Sequence, residues 1–183
     1  MGCNCGRRPA GAVASAGGGP AVARARTGLR PAVAPVVVAP PPPDPLVWGP
    51  PLWRALHIAA VFSDRLSVRN EWPALLQYIQ SGLPCPDCTG HYRRWIASHP
   101  FVKGNNAPDV RKQAHEWLVA LHNDVNVRTG KPTMTPDAVA TLFGGDRLVR
   151  IAEAEAAVAS LRGIIGGRTL SMLSRILVLI KRR

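Results

Sequence analysis

Cys85 and Cys88 stand in the run Cys85-Pro86-Asp87-Cys88, a CxxC pair placed where a helix begins. Pro86 suits a first helical position, because the N–H it lacks would have no partner there. The remaining free N–H groups of that turn, together with the helix dipole, favour a thiolate over a thiol. A thiolate is the species that attacks disulfides and passes electrons on, and two thiols this close in sequence close a short disulfide reversibly. The pair alone is a weak signal. A thioredoxin-like site would need flanking strands, and the sequence shows none. Zinc competes: CPDCTGH offers Cys85, Cys88 and His91, with His115 or His122 as a fourth ligand. Against it, His115 and His122 lie seven residues apart and lack the tight spacing of a second ligand pair.

A second constellation is LHNDVNVRTGK, which begins at Leu121. His122, Asn123, Asn126 and Lys131 place donors and acceptors on about two helical turns of an otherwise apolar helix that also carries Trp117. Burying so many polar groups is costly unless something polar meets them. A flat aromatic cofactor with a ribose and phosphates would do so: tryptophan for stacking, amides and imidazole for hydrogen bonds, Lys131 for phosphate. His57, between Leu56 and Ile58 in an earlier helix, is on its own as readily a satisfied core histidine.

These residues need elements to hold them, and the expectation is all-α. Residues 1–47 are rich in Pro, Gly and Ala, show no amphipathic period and read as a disordered basic arm. Order is expected from Trp48, with Pro50 and Pro51 in the first turn of a helix whose stripe is Leu52, Leu56, Ala59, Ala60 and Phe62. Trp72, Leu75, Leu76 and Ile79 mark a second helix stopping at Gly82. A third runs from Pro86 to Ile96, a fourth from Pro108 to before Gly130, and a short fifth from Pro136 to Gly144-Gly145. Residues 48–145 thus form a small helical bundle. Residues 146–183 read as a helical extension, whose last segment sets Leu170, Leu173, Leu177 and Ile180 on one face between Arg168, Arg175 and Lys181-Arg182-Arg183. That pattern suits a helix lying on a membrane surface, or one docked on protein.

The net charge of +12 is uneven. Five arginines against Asp44 give +4 over residues 1–47, and eight basic against three acidic residues give +5 over residues 146–183, so the bundle carries only +3. Basic tails favour polyanions, and with a membrane-facing C-terminal helix the expectation is a phospholipid surface rather than nucleic acid. Four cysteines in two close pairs are too few for a secreted disulfide scaffold. No secretory signal or plain membrane-spanning run is visible. The N-terminal MGCNCGRR offers Gly2 for myristate and Cys3 and Cys5 for palmitate, with Arg7 and Arg8 behind, although Gly6 replaces the preferred Ser or Thr.

WGPPLWRALHIAAVF, then CPDC, then WLVALHNDVNVRTGKP, in that order and spacing, resemble the Erv/ALR family of FAD-dependent sulfhydryl oxidases. The likeness covers about residues 48–135. It implies a four-helix bundle plus a short fifth helix, a homodimer, and FAD in the mouth of the bundle. By the same resemblance, Cys85 and Cys88 form the active disulfide, Cys88 nearest the flavin and Cys85 attacked by the incoming thiolate. Gly49, Trp53, His57 and Phe62 match the first helix's flavin-binding motif. Trp117, His122, Asn123, Asn126 and Lys131 match that of the fourth. No metal is implied. Electrons would pass from protein dithiol substrates through Cys85–Cys88 and FAD to O2, giving a disulfide and hydrogen peroxide. Family members often carry a second cysteine pair on a flexible tail, so Cys3 and Cys5 could instead shuttle electrons; acylation is preferred because the C-terminal helix also looks membrane-facing. Many cellular members add a structural disulfide between the third helix and the segment after GKP, but RRWIASHP and GKPTMTPD contain no cysteine. That departure is closer to the oxidases of large nucleocytoplasmic DNA viruses, and implies a virion or host-cytoplasm setting at a membrane. A zinc-stabilised binding module and a catalytically silent virion component are the alternatives.

Overall fold

The computed structural model describes residues 40–182; the arm before them, with Gly2, Cys3 and Cys5, lies outside the described residues. Seven α-helices and one 3-10 turn make up the described chain: α1 Pro45–Val61, the turn Leu66–Val68, α2 Glu71–Gly82, α3 Pro86–Ser98, α4 Ala107–Arg128, α5 Pro136–Phe143, α6 Arg147–Ser160 and α7 Gly167–Lys181. The all-α expectation holds.

Most helix starts follow from capping chemistry. Asn106 accepts from Asp109 N, Thr135 from Ala138 N, and Asp146 from Leu148 N and Val149 N. Each satisfies donors that the first turn cannot. The start of α1 corrects the sequence reading. Order begins before Trp48, because Asp44 accepts from Leu46 N at 2.9 Å and Pro45 takes the first helical position. Pro50 and Pro51 therefore lie inside the helix. The carbonyls they leave without donors belong to Leu46 and Val47, both well exposed, so water replaces the missing bonds.

α1 is the central element. Residues 55–60 are six consecutive buried positions, so the helix offers no face to solvent there. α4 and α5 pack on it from one direction, α6 and α7 from another, and α7 also covers α2, which carries α3. A single hydrophobic core runs through all of this, joining Leu56, Ile58, Leu75 and Leu118 with Ile151, Leu161, Leu173 and Ile176.

The last two helices are thus part of the core, and the membrane-facing reading of the basic C-terminal helix is corrected. Leu173, Ile176, Leu177 and Ile180 are each no more than 1% exposed, buried on α2 and α6. Two of the flanking cations are also used within the fold: Arg175 pairs with Glu71 at 2.9 Å and Lys181 with Glu155 at 3.1 Å. An apolar stripe occupied by protein has nothing left to insert into lipid. Among the described residues no helix is long and apolar enough to cross a membrane.

α2 and α7 approach so closely at one point that only glycine fits. Gly166 N donates to Gly82 O at 2.9 Å, and Thr169 Oγ1 donates to Tyr78 O at 2.9 Å. A Cβ at Gly82 would run into Thr169 Oγ1 and its Cβ, and one at Gly166 would come within 2.8 Å of Gly82 Cα. Gly82→Val is therefore expected to separate the two helices and cost about 2–4 kcal/mol, by overpacking and loss of these bonds. Urea unfolding of the variant checks this; an unchanged midpoint would contradict it.

Candidate functional site

Cys85 caps α3. Its Sγ accepts from Cys88 N at 3.1 Å, and Pro86 holds the first helical position. The two sulfurs are joined as a disulfide. Once reduced, a Cys85 thiolate would keep this N–H donor and the positive end of a 13-residue helix. Cys88 lies on another face of α3, with Tyr92 and Trp95 following at helical spacing. That face meets the rest of the protein: Tyr92 is buried and donates from its hydroxyl to Leu76 O at 2.8 Å. Burial raises the Tyr92 pKa and keeps the phenol neutral. His91 pairs through Nε2 with Asp124 of α4.

Two aromatic groupings lie along α4. The first joins α1, α4 and α5. Trp53 lies parallel on His122, with ring centroids 4.0 Å apart and planes 5° from parallel, and Phe143 stacks on His57 at 5.1 Å. The two imidazoles share a hydrogen bond, His57 Nε2 to His122 Nδ1, of 2.8 Å. His57 is fully buried, and its Nδ1 has no partner among the described residues. The second grouping joins α3, the segment after it and α4. His99 stacks on Trp95 at 3.7 Å, Trp117 Nε1 donates to His99 O at 2.8 Å, and Phe101 meets Trp117 edge-on. Trp95 Nε1 is buried without a partner.

Burial, and then the neighbouring His122 and His115, lower the His57 pKa to about 3. Burial, and then Lys131, lower that of His122 to about 4. Both are neutral at pH 7. In the unfolded chain the same side chains take protons below about pH 6.5. Between these limits the unfolded state binds more protons, so the stability is whole above pH 6.5 and is lost as pH falls toward 4. Urea midpoints should decline from pH 7 to pH 5; a flat or rising midpoint would contradict the buried neutral pair.

The remaining sequence-predicted residues fall in several places. Gly49 is buried in α1, with open space where a Cβ would project. Phe62 stands apart from the stacked rings and takes Arg147 of α6 over its face, 5.7 Å from the centroid. Asn123 and Asn126 are committed to the chain's own backbone. Asn123 donates to Met134 O at 2.8 Å and accepts from Met134 N at 3.0 Å, while Asn126 donates to Pro132 O at 3.2 Å. They fix the segment after Gly130 onto α4, where no disulfide ties it; His115 adds a bond to Pro136 O at 2.8 Å. Lys131 is exposed. Its charge acts on His122.

Sequence reasoning missed Phe143, Trp95, His99 and the His91–Asp124 pair as site neighbours. His91 enters the sequence reading only as a zinc ligand. The histidines of the zinc alternative are used in separate directions: His91 on Asp124, His115 on Pro136 O and His122 on His57. Among the described residues no three metal-ligating side chains gather.

The model of the Erv1 / Alr family matches residues 50–143, which hold the CxxC, both stacked histidines and both aromatic groupings. The FAD-linked sulfhydryl oxidase of African swine fever virus (isolate Pig/Kenya/KEN-50/1950) is 38% identical over 90 residues, covering 47% of this chain and 71% of that protein. The mitochondrial FAD-linked sulfhydryl oxidase erv1 of Schizosaccharomyces pombe is 34% identical over 95 residues, 49% of this chain and 50% of that one. No solved structure matches significantly. With the family's model covering residues 50–143, just over half of its length, this chain belongs to the Erv1/Alr family.

Proposed function

We propose that the protein is an FAD-linked thiol oxidase that makes disulfides in protein substrates through Cys85 and Cys88. The observation that carries this reading is the Cys85–Cys88 disulfide at the start of α3, with Cys85 capping the helix and Cys88 turned to the face that meets the protein. A substrate thiolate attacks Cys85 Sγ, the Cys85–Cys88 bond breaks, and Cys88 leaves as a thiolate. A second substrate thiolate then attacks the substrate sulfur of the mixed disulfide and expels Cys85. Cys85 is a good leaving group because the N–H of Cys88 and the helix dipole stabilise its thiolate. The substrate gains a disulfide, and its electron pair rests on the Cys85/Cys88 dithiol.

FAD, when bound, supplies a two-electron acceptor that passes those electrons to O2 with release of hydrogen peroxide. The residues present fit such a group. Trp53 and His122, both only partly buried, offer flat ring systems, and the neutral His57 has a buried ring nitrogen, Nδ1, without a partner. Trp117 lies in the second aromatic grouping, Gly49 leaves room beside α1, and Lys131 suits a phosphate. Asn123 and Asn126 act by holding the Lys131 segment in place. Phe62 supports the end of α1 against Arg147.

The wider setting is part of the same reading. That a relative 38% identical is a viral protein supports a virion or host-cytoplasm setting, with virion assembly as the role in this reading. Acylation of Gly2, Cys3 and Cys5 remains the route to a membrane surface, since α7 is buried; an unmodified N-terminal glycine in the mass spectrum would remove it. Self-association, implied by the resemblance, is left to surfaces other than the faces of α1 and α2 that α6 and α7 cover. The function itself is tested with an oxygen electrode. Purified protein with dithiothreitol should consume O2 and form peroxide in equal amounts; O2 uptake no faster than without protein would contradict the reading.

A further inference from the structure

A groove of about 420 Å³ opens between the end of α2 and the outer face of α3. Gln80 and Ser81 of α2 line it together with Leu83, Pro84 and the α3 face that begins at Pro86; Cys85 is not in the lining, but the two prolines that flank it are. Pro86, Thr89, Gly90 and Arg93 recur at i, i+3, i+4 and i+7, so they form one face of α3, starting beside the Cys85 cap and turned away from the face of Cys88 and Trp95. The near end is apolar. At the far end stands Arg93, which is exposed and takes part in none of the ion pairs among the described residues. The one acidic residue of α3, Asp87, does not line the groove.

We infer that this groove selects the substrate: it receives an extended polypeptide segment next to the reacting cysteine, with a carboxylate on that segment meeting Arg93. The inference rests on the thiol oxidase reading above. A small dithiol needs only the Cys85 sulfur, whereas a protein substrate must lay chain on one side of it. Eight residues separate Cys85 from Arg93, about 12 Å along a helix. An extended chain covers that distance in about four residues. The carboxylate is therefore placed about four residues from the attacking cysteine, and the walls between, uncharged from Gln80 to Gly90, favour uncharged side chains there. The chain's own arm is a poor occupant, because residues 1–39 carry five arginines and no carboxylate side chain.

The test uses the full-length flavoprotein and three synthetic dithiol peptides, with Glu, Gln or Lys four residues from the cysteine on either side, alongside dithiothreitol. At low salt the Glu peptide should exceed the Lys peptide in kcat/KM by about fivefold, the range of an exposed ion pair gained against one repelled, and high salt should erase the difference. Arg93→Glu should reverse the preference with dithiothreitol oxidation unchanged. Gly90→Leu is a second variant: a Cβ at Gly90 meets only Arg94 Nη1, at 3.6 Å, so the helix accepts it while the larger side chain fills the groove. It should slow all three peptides and spare dithiothreitol. Equal rates for the Glu and Lys peptides, or a preference that survives Arg93→Glu, would overturn the groove while leaving the oxidase standing. Failure of the unmodified protein to oxidise dithiothreitol would instead remove the oxidase reading beneath it.

Discussion

Cys88→Ser is expected to lower dithiol turnover by on the order of a thousandfold or more, with the helical fold unchanged. Without Cys88 the disulfide at the start of α3 is lost, and with it the acceptor of the substrate's electron pair. Cys85→Ser should cost as much, so turnover alone does not separate the two roles. Thiol reactivity does. In Cys88→Ser the remaining Cys85 keeps the cap position and the helix dipole, and should be alkylated quickly at pH 7. In Cys85→Ser the remaining Cys88 lies on the face that carries Tyr92 and Trp95 inward, and should react at least about tenfold more slowly. Equal alkylation rates would mean that α3 does not divide the pair into an entry sulfur and an inner one.

The second large effect concerns the C-terminal helices. Deleting residues 146–183 should leave no soluble monomer. The deletion removes Ile151, Leu161, Leu173, Ile176, Leu177 and Ile180 from the core and uncovers the faces of α1 and α2 that they pack against. Each such side chain is worth about 1.5–3 kcal/mol of burial, in total about as much as the whole stability of an ordinary domain. The truncated chain should aggregate or associate through the exposed faces, as light scattering after gel filtration would report. A monomer with the melting temperature of the full chain would show that α6 and α7 are an accessory. The result also bears on where a second copy could bind, since the intact chain covers these faces itself.

Much of this arrangement was legible in the residues. Pro86, Pro108 and Pro136, each one or two places after a cap, mark the starts of α3, α4 and α5, because proline in a first turn costs no helical hydrogen bond. The polar set on α4 was legible as groups needing partners. Which partners was not: Asn123 and Asn126 meet Met134 and Pro132, and nothing in a helical pattern reveals a loop folding back onto its own helix. The same holds for α7. An apolar stripe edged with arginine reads alike whether it meets lipid or protein, and its true neighbours, Glu71 and Tyr78 on α2, lie about ninety or more residues earlier. The start of α1 was hidden for a different reason. Asp44 and Pro45 form a cap, but they sit at the end of a proline run whose composition argues against any helix. The CxxC was legible at once, whereas Asp124 on His91 and Phe143 on His57 come from helices that the sequence gives no cause to pair with those histidines.

The central claim is that Cys85 and Cys88 pass electrons to a flavin held by α1 and α4. The visible absorption spectrum of the purified full-length protein, recorded without oxygen before and after dithiothreitol and again after admitting air, tests it most directly. A band near ~450 nm that bleaches with dithiothreitol and returns in air is the expected result, with bleaching lost in Cys88→Ser although the band remains. A colourless protein, or a flavin that dithiothreitol bleaches equally well in Cys88→Ser, would contradict the claim.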